Sequence, residues 1–414
     1  MYETAAIIAG FLLVYAAVSG RVERSWLSGP VVFTLAGVFL GPAGLALLHT
    51  GMGTAEVRIL AEATLAVVLF TDAANADFAS VSHNIALPGR LLLIALPLSI
   101  VLGFLAASAV FSGLDPLEAA LLAVILAPTD AALGKPVVMN QSVDVKIRES
   151  LNLESGLNDG ICVPILVILL ELAVGTRIEG YSAASALKVV AEELGIGFAV
   201  GLFTTGCASA FLRVAVKFDW VSPNWIEVPV PALAVICFAA AQAIGGSGFI
   251  ACFTGGLMVS WLRPRRVHEL LRGANSIGET LAMLTWLSFG AVAVGQLIGR
   301  VSISVLTYAL LSLTVVRMAP VFLCLSSTGL TTRTKLFLGW FGPRGLASIV
   351  FGIIVFNEQL PGNDTVEATV VCTVLLSVLA HGITANPLLQ ALQTRLGIPG
   401  SSEAHPRENG GPPR

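Results

Sequence analysis

Leu153-Glu154-Ser155-Gly156-Leu157-Asn158-Asp159-Gly160 lies in a long apolar run, and its reading decides the fold. Glu154, Ser155, Asn158 and Asp159 fall within about one and a half helical turns. Glu154 and Asn158 are four apart, as are Ser155 and Asp159, so each pair shares a helix face. An ionisable group at the centre of a bilayer costs roughly 2.5–3.5 kcal/mol on insertion scales. Two carboxylates this close therefore point to an ion or proton site rather than to packing. A short loop facing water is disfavoured, because apolar sequence continues past Gly160 without a turn signal.

The surrounding chain has the composition that such a site requires. Of its 414 residues, 56% are hydrophobic and 12% charged, and the mean hydropathy is +0.86. A soluble globular chain carries roughly twice that share of charge. The chain reads as an all-α polytopic membrane protein with thirteen spans, near 2–19, 29–48, 57–75, 89–112, 116–139, 149–174, 184–212, 228–245, 248–262, 276–298, 302–326, 335–357 and 366–394. Residues 1–19 read as the first span rather than a cleaved leader, since Glu3 stands where a basic segment belongs. From 396 onward the sequence is polar and is expected to be a disordered cytoplasmic tail.

The basic residues agree with an odd number of spans. With the N-terminus outside and the C-terminus inside, sixteen Lys and Arg residues fall on the cytoplasmic side, including Arg90, Lys146, Arg213 and the run from Arg263. Only Arg58, Arg177, Lys188 and Arg300 fall outside. That is the positive-inside bias. Three basic residues remain at membrane depth, Lys135, Arg317 and Arg344, and Lys135 is close enough to a span end to snorkel.

The two halves of the chain are similar. TLAVVLF from Thr64 aligns with TLAMLTW from Thr280, Phe33 with Phe253, and Pro128 with Pro343, at offsets of 216, 220 and 215. Six spans before and six after a linking seventh would form two inverted repeats. Proline removes an intrahelical hydrogen bond, so Ala127-Pro128-Thr129-Asp130 and Gly342-Pro343-Arg344-Gly345 are expected to interrupt spans five and twelve. An interrupted helix exposes a partly positive N-terminus and a partly negative C-terminus. Asp130 suits the first and Arg344 the second, so each break carries a charge able to neutralise the other.

The remaining polar residues read more plainly. Glu62, Glu118 and Glu171 are expected near span ends, solvated, and His49, His83, His268 and His381 mostly near loops. Gly245, Gly246 and Gly248 mark a tight turn. The six cysteines show neither metal nor redox spacing. No cofactor and no nucleic-acid partner are expected.

On these residues the chain resembles the NhaP and NHE-like monovalent cation/proton antiporters. The motifs are APTD at 127–130, ESGLNDG at 154–160, SGFIACFTGGL at 247–257, RMAP at 317–320 and GPRGLAS at 342–348. The resemblance implies an elevator-type exchanger with a transport core (about 89–174 and 302–394) and a dimerisation scaffold (about 2–75 and 184–298), working as a homodimer. It further implies that Asp159 binds cation and proton alternately. Thr129 and Asp130 belong to the unwound fifth helix, Ser155 is a polar ligand, and Asp72 replaces a glutamate of the third helix. It makes Glu154 and Arg317 an ion pair, Arg344 the charge at the helix crossing, and Asn158 the mark of an electroneutral branch.

The chemistry of the residues agrees with this. Sodium or lithium wants hard oxygen ligands, and carboxylates, a hydroxyl and freed carbonyls offer them. Burial disfavours the charged form of a carboxylate, so proton and cation can compete for one group. The expected activity is Na+ or Li+ exchange for H+ in a bacterial or archaeal inner membrane, not enzymatic catalysis. The alternatives are K+/H+ exchange on the same scaffold and a passive cation channel. An intramembrane hydrolase is disfavoured by the lack of a histidine cluster or protease motif.

Overall fold

A computed structural model of the chain describes residues 2–22, 28–48, 55–76, 86–130, 133, 145–175, 183–262, 267–297 and 299–396. Their regular structure is helical throughout. We number the helices α1 (Tyr2–Val22), α2 (Gly29–Leu40), α3 (Ala55–Asn75), α4 (Ala86–Val110), α5 (Pro116–Ile125), α6 (Val145–Gly175) and α7 (Ala183–Lys217). They continue as α8 (Pro229–Ala243), α9 (Gly248–Leu262), α10 (Val267–Leu297), α11 (Ile303–Cys324), α12 in two halves (Thr332–Trp340 and Leu346–Asn357) and α13 (Asn363–Leu396). Stretches of α1, α4, α6, α7, α11 and α13 are long and apolar enough to cross a bilayer by themselves.

Several boundaries differ from the sequence reading, each for a local reason. The second helix stops at Leu40 instead of running to 48, because Gly41-Pro42 turns the chain. One turn of α4, Leu91–Ala95, is a π-helix just ahead of Pro97, which has no N–H to reach back to Leu93. Helix α11 is interrupted at Thr314 with neither proline nor glycine there. Its hydroxyl donates to Leu310 O at 2.6 Å, and its backbone leaves the helical region at φ −111°, ψ −91°. Lys135, the expected continuation of the fifth span after the break, the run 263–266 and the tail from 397 lie outside the described residues.

The helices sort into two packed groups, α2, α3 and α7–α10 in one and α4–α6 with α11–α13 in the other. Helices α3 and α6 meet across the boundary, as do α3 and α12. Both breaks belong to the second group, so the candidate site is built there and faces α3 of the first.

Candidate functional site: two interrupted helices and the acids beside them

Helix α5 and the first half of α12 are built alike. Asp115 caps α5 by accepting from Leu117 N at 2.9 Å, and Thr331, 216 positions later, caps α12 by accepting from Thr334 N at 3.2 Å. The helices run ten and nine residues and end at Ile125 and Trp340, just ahead of the prolines. Neither proline can supply the N–H that continues a helix, so both chains extend.

The breaks then bond to each other. Asp130 N donates to Pro343 O at 2.8 Å. Leu346 N, at the start of the second half of α12, donates to Asp130 Oδ2 at 2.8 Å, so the carboxylate closes a helix N-terminus. In the opposite sense Arg344 Nη1 donates to Ala127 O at 2.6 Å and Pro128 O at 3.2 Å, closing the C-terminal end of α5. Its Nη2 also reaches Ser312 O at 3.4 Å, beside the interruption in α11. A side chain at Gly345 would overlap the Asp130 carboxylate, so the approach demands glycine.

Helix α6 holds the α5 break from the side. Ser155 Oγ donates to Thr129 O, and Asn158 Nδ2 donates to Thr129 Oγ1, both at 2.7 Å. Each Thr129 oxygen thus accepts one hydrogen bond and keeps a second lone pair. Asp159 and Asn158 are buried, and Oδ1 of each has no hydrogen-bond partner among the described residues. Buried oxygens without donors are costly unless a ligand or proton meets them.

Asp72, partly exposed on α3, lies against Gly156 of α6, where a Cβ would stand 3.4 Å from that of Asp72. Asp72 and Asp130 are the acids within electrostatic reach of Asp159. The three do not converge as a multi-carboxylate metal cage; among the described residues no three His, Cys, Asp or Glu side chains do. The arrangement offers one buried carboxylate on α6, with the neutral oxygens of Ser155 and Thr129 and the acids Asp72 and Asp130 around it.

Glu154 and Arg317 pair at 2.6 Å, and both are buried. Arg317 stands in the first turn after the interruption in α11 and lies against Gly342, where a Cβ would overlap its guanidinium. The pair fastens α6 to α11 and, through Arg317, to the α12 break, five residues before Asp159.

Two residues differ from the sequence reading. Glu118 is buried, not solvated: Oε1 accepts from Gly362 N at 2.6 Å and Oε2 from Asp115 N at 3.1 Å. The signal was available, since Asp-Pro-Leu-Glu ahead of an apolar run is a capping box. His381 is not near a loop but buried in α13, with ring nitrogens on Trp340 O and Ser377. It is one of several polar side chains in α13, and no local pattern sets it apart. His49 and His83 lie outside the described residues.

Comparison with known proteins agrees with this architecture. The fold is similar to that of the sodium proton antiporter MjNhaP1 from Methanocaldococcus jannaschii, with a TM-score of 0.73 at 18% identity over 92% of this chain and 99% of that one. A K(+)/H(+) antiporter NhaP of Alkalimonas amylolytica is 27% identical over 72% of this chain and 50% of its own length. A K(+)/H(+) antiporter NhaP2 of Shewanella baltica is 24% identical over 64% and 46%. This chain therefore spans about half the length of these bacterial relatives. A Na(+)/H(+) antiporter of Schizosaccharomyces pombe is 22% identical over 92% of this chain and 89% of its own. The family described as "Sodium/hydrogen exchanger, transmembrane" matches residues 8–391, and this chain, an integral membrane protein, belongs to it.

Proposed function

We propose that the chain is a secondary antiporter, not an enzyme, exchanging Na+ or Li+ for H+ with cation and proton competing for Asp159. The observation that carries the reading is the unpartnered Oδ1 of buried Asp159, beside a helix break whose oxygens keep free lone pairs. In one state the carboxylate holds a cation, with Thr129, Ser155 and Asp130 oxygens as its further ligands; in the other it holds a proton. Asn158, an amide, takes up no proton, so one cation against one proton makes the cycle electroneutral. Asp72 and Asp130 raise the local negative potential that draws a cation inward.

On this reading the group containing both breaks is the moving core and the other group the scaffold of a homodimer. The positive-inside bias supports an inner-membrane orientation with N-terminus outside and C-terminus in the cytoplasm. A second reading, K+ in place of Na+, is favoured by the bacterial relatives, which are K(+)/H(+) antiporters by name.

The test is transport in sealed vesicles with the membrane voltage clamped. Imposed gradients of Na+, Li+ and K+ should each be tried, and at least one should move protons. Asp159→Asn should abolish that exchange; retention of exchange by this variant overturns the site. Proton movement that vanishes under the clamp overturns coupled exchange, and an exchange rate that changes with the value of the clamped voltage overturns electroneutrality.

A further inference from the structure

We propose that Ser377 and His381 of α13 are positioning residues that clamp the α12 break and so fix where Arg344 meets α5. The inference rests on the exchange reading above only for its transport readout.

The observations lie on one face of α13, where 377, 381 and 384 follow at helical spacing. Arg344 N, at the far end of the break, donates to Ser377 Oγ at 2.7 Å. His381 Nε2 lies 2.9 Å from Trp340 O, at the near end. Since a carbonyl only accepts, Nε2 carries a proton. Nδ1 lies 3.2 Å from Ser377 Oγ and 2.8 Å from Ser377 O, and serves as acceptor for the first or donor to the second. The Nε2 contact survives either choice. The imidazole also lies over the Trp340 indole, centroids 5.0 Å apart at 31°, and Trp340 Nε1 donates to Thr384 Oγ1 at 3.0 Å.

Two side chains one turn apart thus grip residues 340 and 344, the two sides of the break at 341–345. Ser377 and His381 are both buried, so water cannot replace them. This grip is the counterpart of the one on α5, where Ser155 and Asn158 of the following helix hold Thr129. The difference lies in what is left over. Helix α6 adds an acid with an unpartnered oxygen, whereas both His381 nitrogens are engaged. One break is left able to take a ligand, and the other is held as the frame against which it works. Because Arg344 reaches Ala127 O and Pro128 O, a change in the length of the α12 break is passed to the residue preceding Thr129.

Four variants test this in the purified protein and in vesicles: Ser377→Ala, His381→Ala, their double, and His381→Gln, whose amide N–H can still donate to Trp340 O. Amide hydrogen exchange over 339–346 should rise about tenfold in His381→Ala. Each single alanine should lower the maximal exchange rate about fivefold while the cation KM stays within about twofold, since the loss falls on a moving part and not on the ligands. The double should be no slower than the slower single, because both act through one clamp. His381→Gln should recover at least about half the rate, which a simple packing role would not allow. Should His381→Ala fail to fold, Ser377→Ala and His381→Gln carry the same comparison. Unchanged amide exchange over 339–346, rate losses that multiply, or a glutamine no better than alanine each overturns the clamp. If the wild-type chain exchanges no cation, the transport reading fails and amide exchange alone decides this one.

Discussion

Arg344 Nη1 donates to Ala127 O at 2.6 Å, so a cation from one helix break closes the carbonyl end of the other. Asp130 Oδ2 answers by accepting from Leu346 N at the amide end. The crossing therefore exchanges charges: each break supplies the group that the other's helix dipole requires. Among the described residues the ion pair with both members buried is Glu154 with Arg317.

Arg344→Ala should unpair the Ala127 and Pro128 carbonyls. At about 1–3 kcal/mol for each buried acceptor left without a donor, the loss is roughly 2–6 kcal/mol. Arg344→Lys should recover only part of it, because an ammonium does not fork across two carbonyls and Ser312 O. Thermal unfolding in detergent reads this directly. A melting temperature equal to wild type in Arg344→Ala shows that the carbonyls do not depend on the guanidinium.

Removing either member of the Glu154–Arg317 pair should cost about 3–5 kcal/mol by leaving a buried charge uncompensated. The double variant Glu154→Leu, Arg317→Met should be more stable than either single one. The coupling energy from a double-mutant cycle checks this, and purely additive losses are the contrary outcome.

The backbone plan was legible because membrane depth leaves few options. Pro164 and Pro320 sit inside helical segments that continue past them, whereas Pro128 and Pro343 each have a charge close by that answers a helix end, and that pairing marks the breaks. That reasoning gave Asp130 and Arg344 their partners' polarity but not their partners, since Ala127, Leu346 and Ser312 are ordinary residues chosen by tertiary packing. The interruption at Thr314 was not legible, because one threonine among many apolar neighbours carries no breaking signal. Glu118 was misread for a different reason. Nearness to a span end implies water only if no loop covers the end, and Gly362 covers it.

Thr129 carries two roles that substitution should separate. Thr129→Ser keeps both oxygens and should leave exchange within about threefold of wild type, whereas Thr129→Val removes the acceptor for Asn158 Nδ2 and should lower it by about tenfold or more. The cation KM should rise in the valine variant, since Asn158 is then free to turn toward the site. Initial rates at varied cation concentration separate the two effects. Equal behaviour of serine and valine removes the hydroxyl from the account.

Glu118 ties the first turn of α5 to the turn preceding α13, and its two oxygens serve different donors. Glu118→Gln keeps an acceptor for Gly362 N but turns an amide toward Asp115 N, one unmade hydrogen bond, at about 1–3 kcal/mol. Glu118→Ala leaves both donors unpaired and should cost more. Gly362→Ala would force its Cβ into the Glu118 carboxylate and should also destabilise. The part of that clash due to the carboxylate vanishes with it, leaving the overlap with Leu114, so the double Glu118→Ala, Gly362→Ala should lose less than the sum of the singles. Unfolding midpoints of the four variants check the order, and a double that loses the full sum shows that Glu118 and Gly362 act apart.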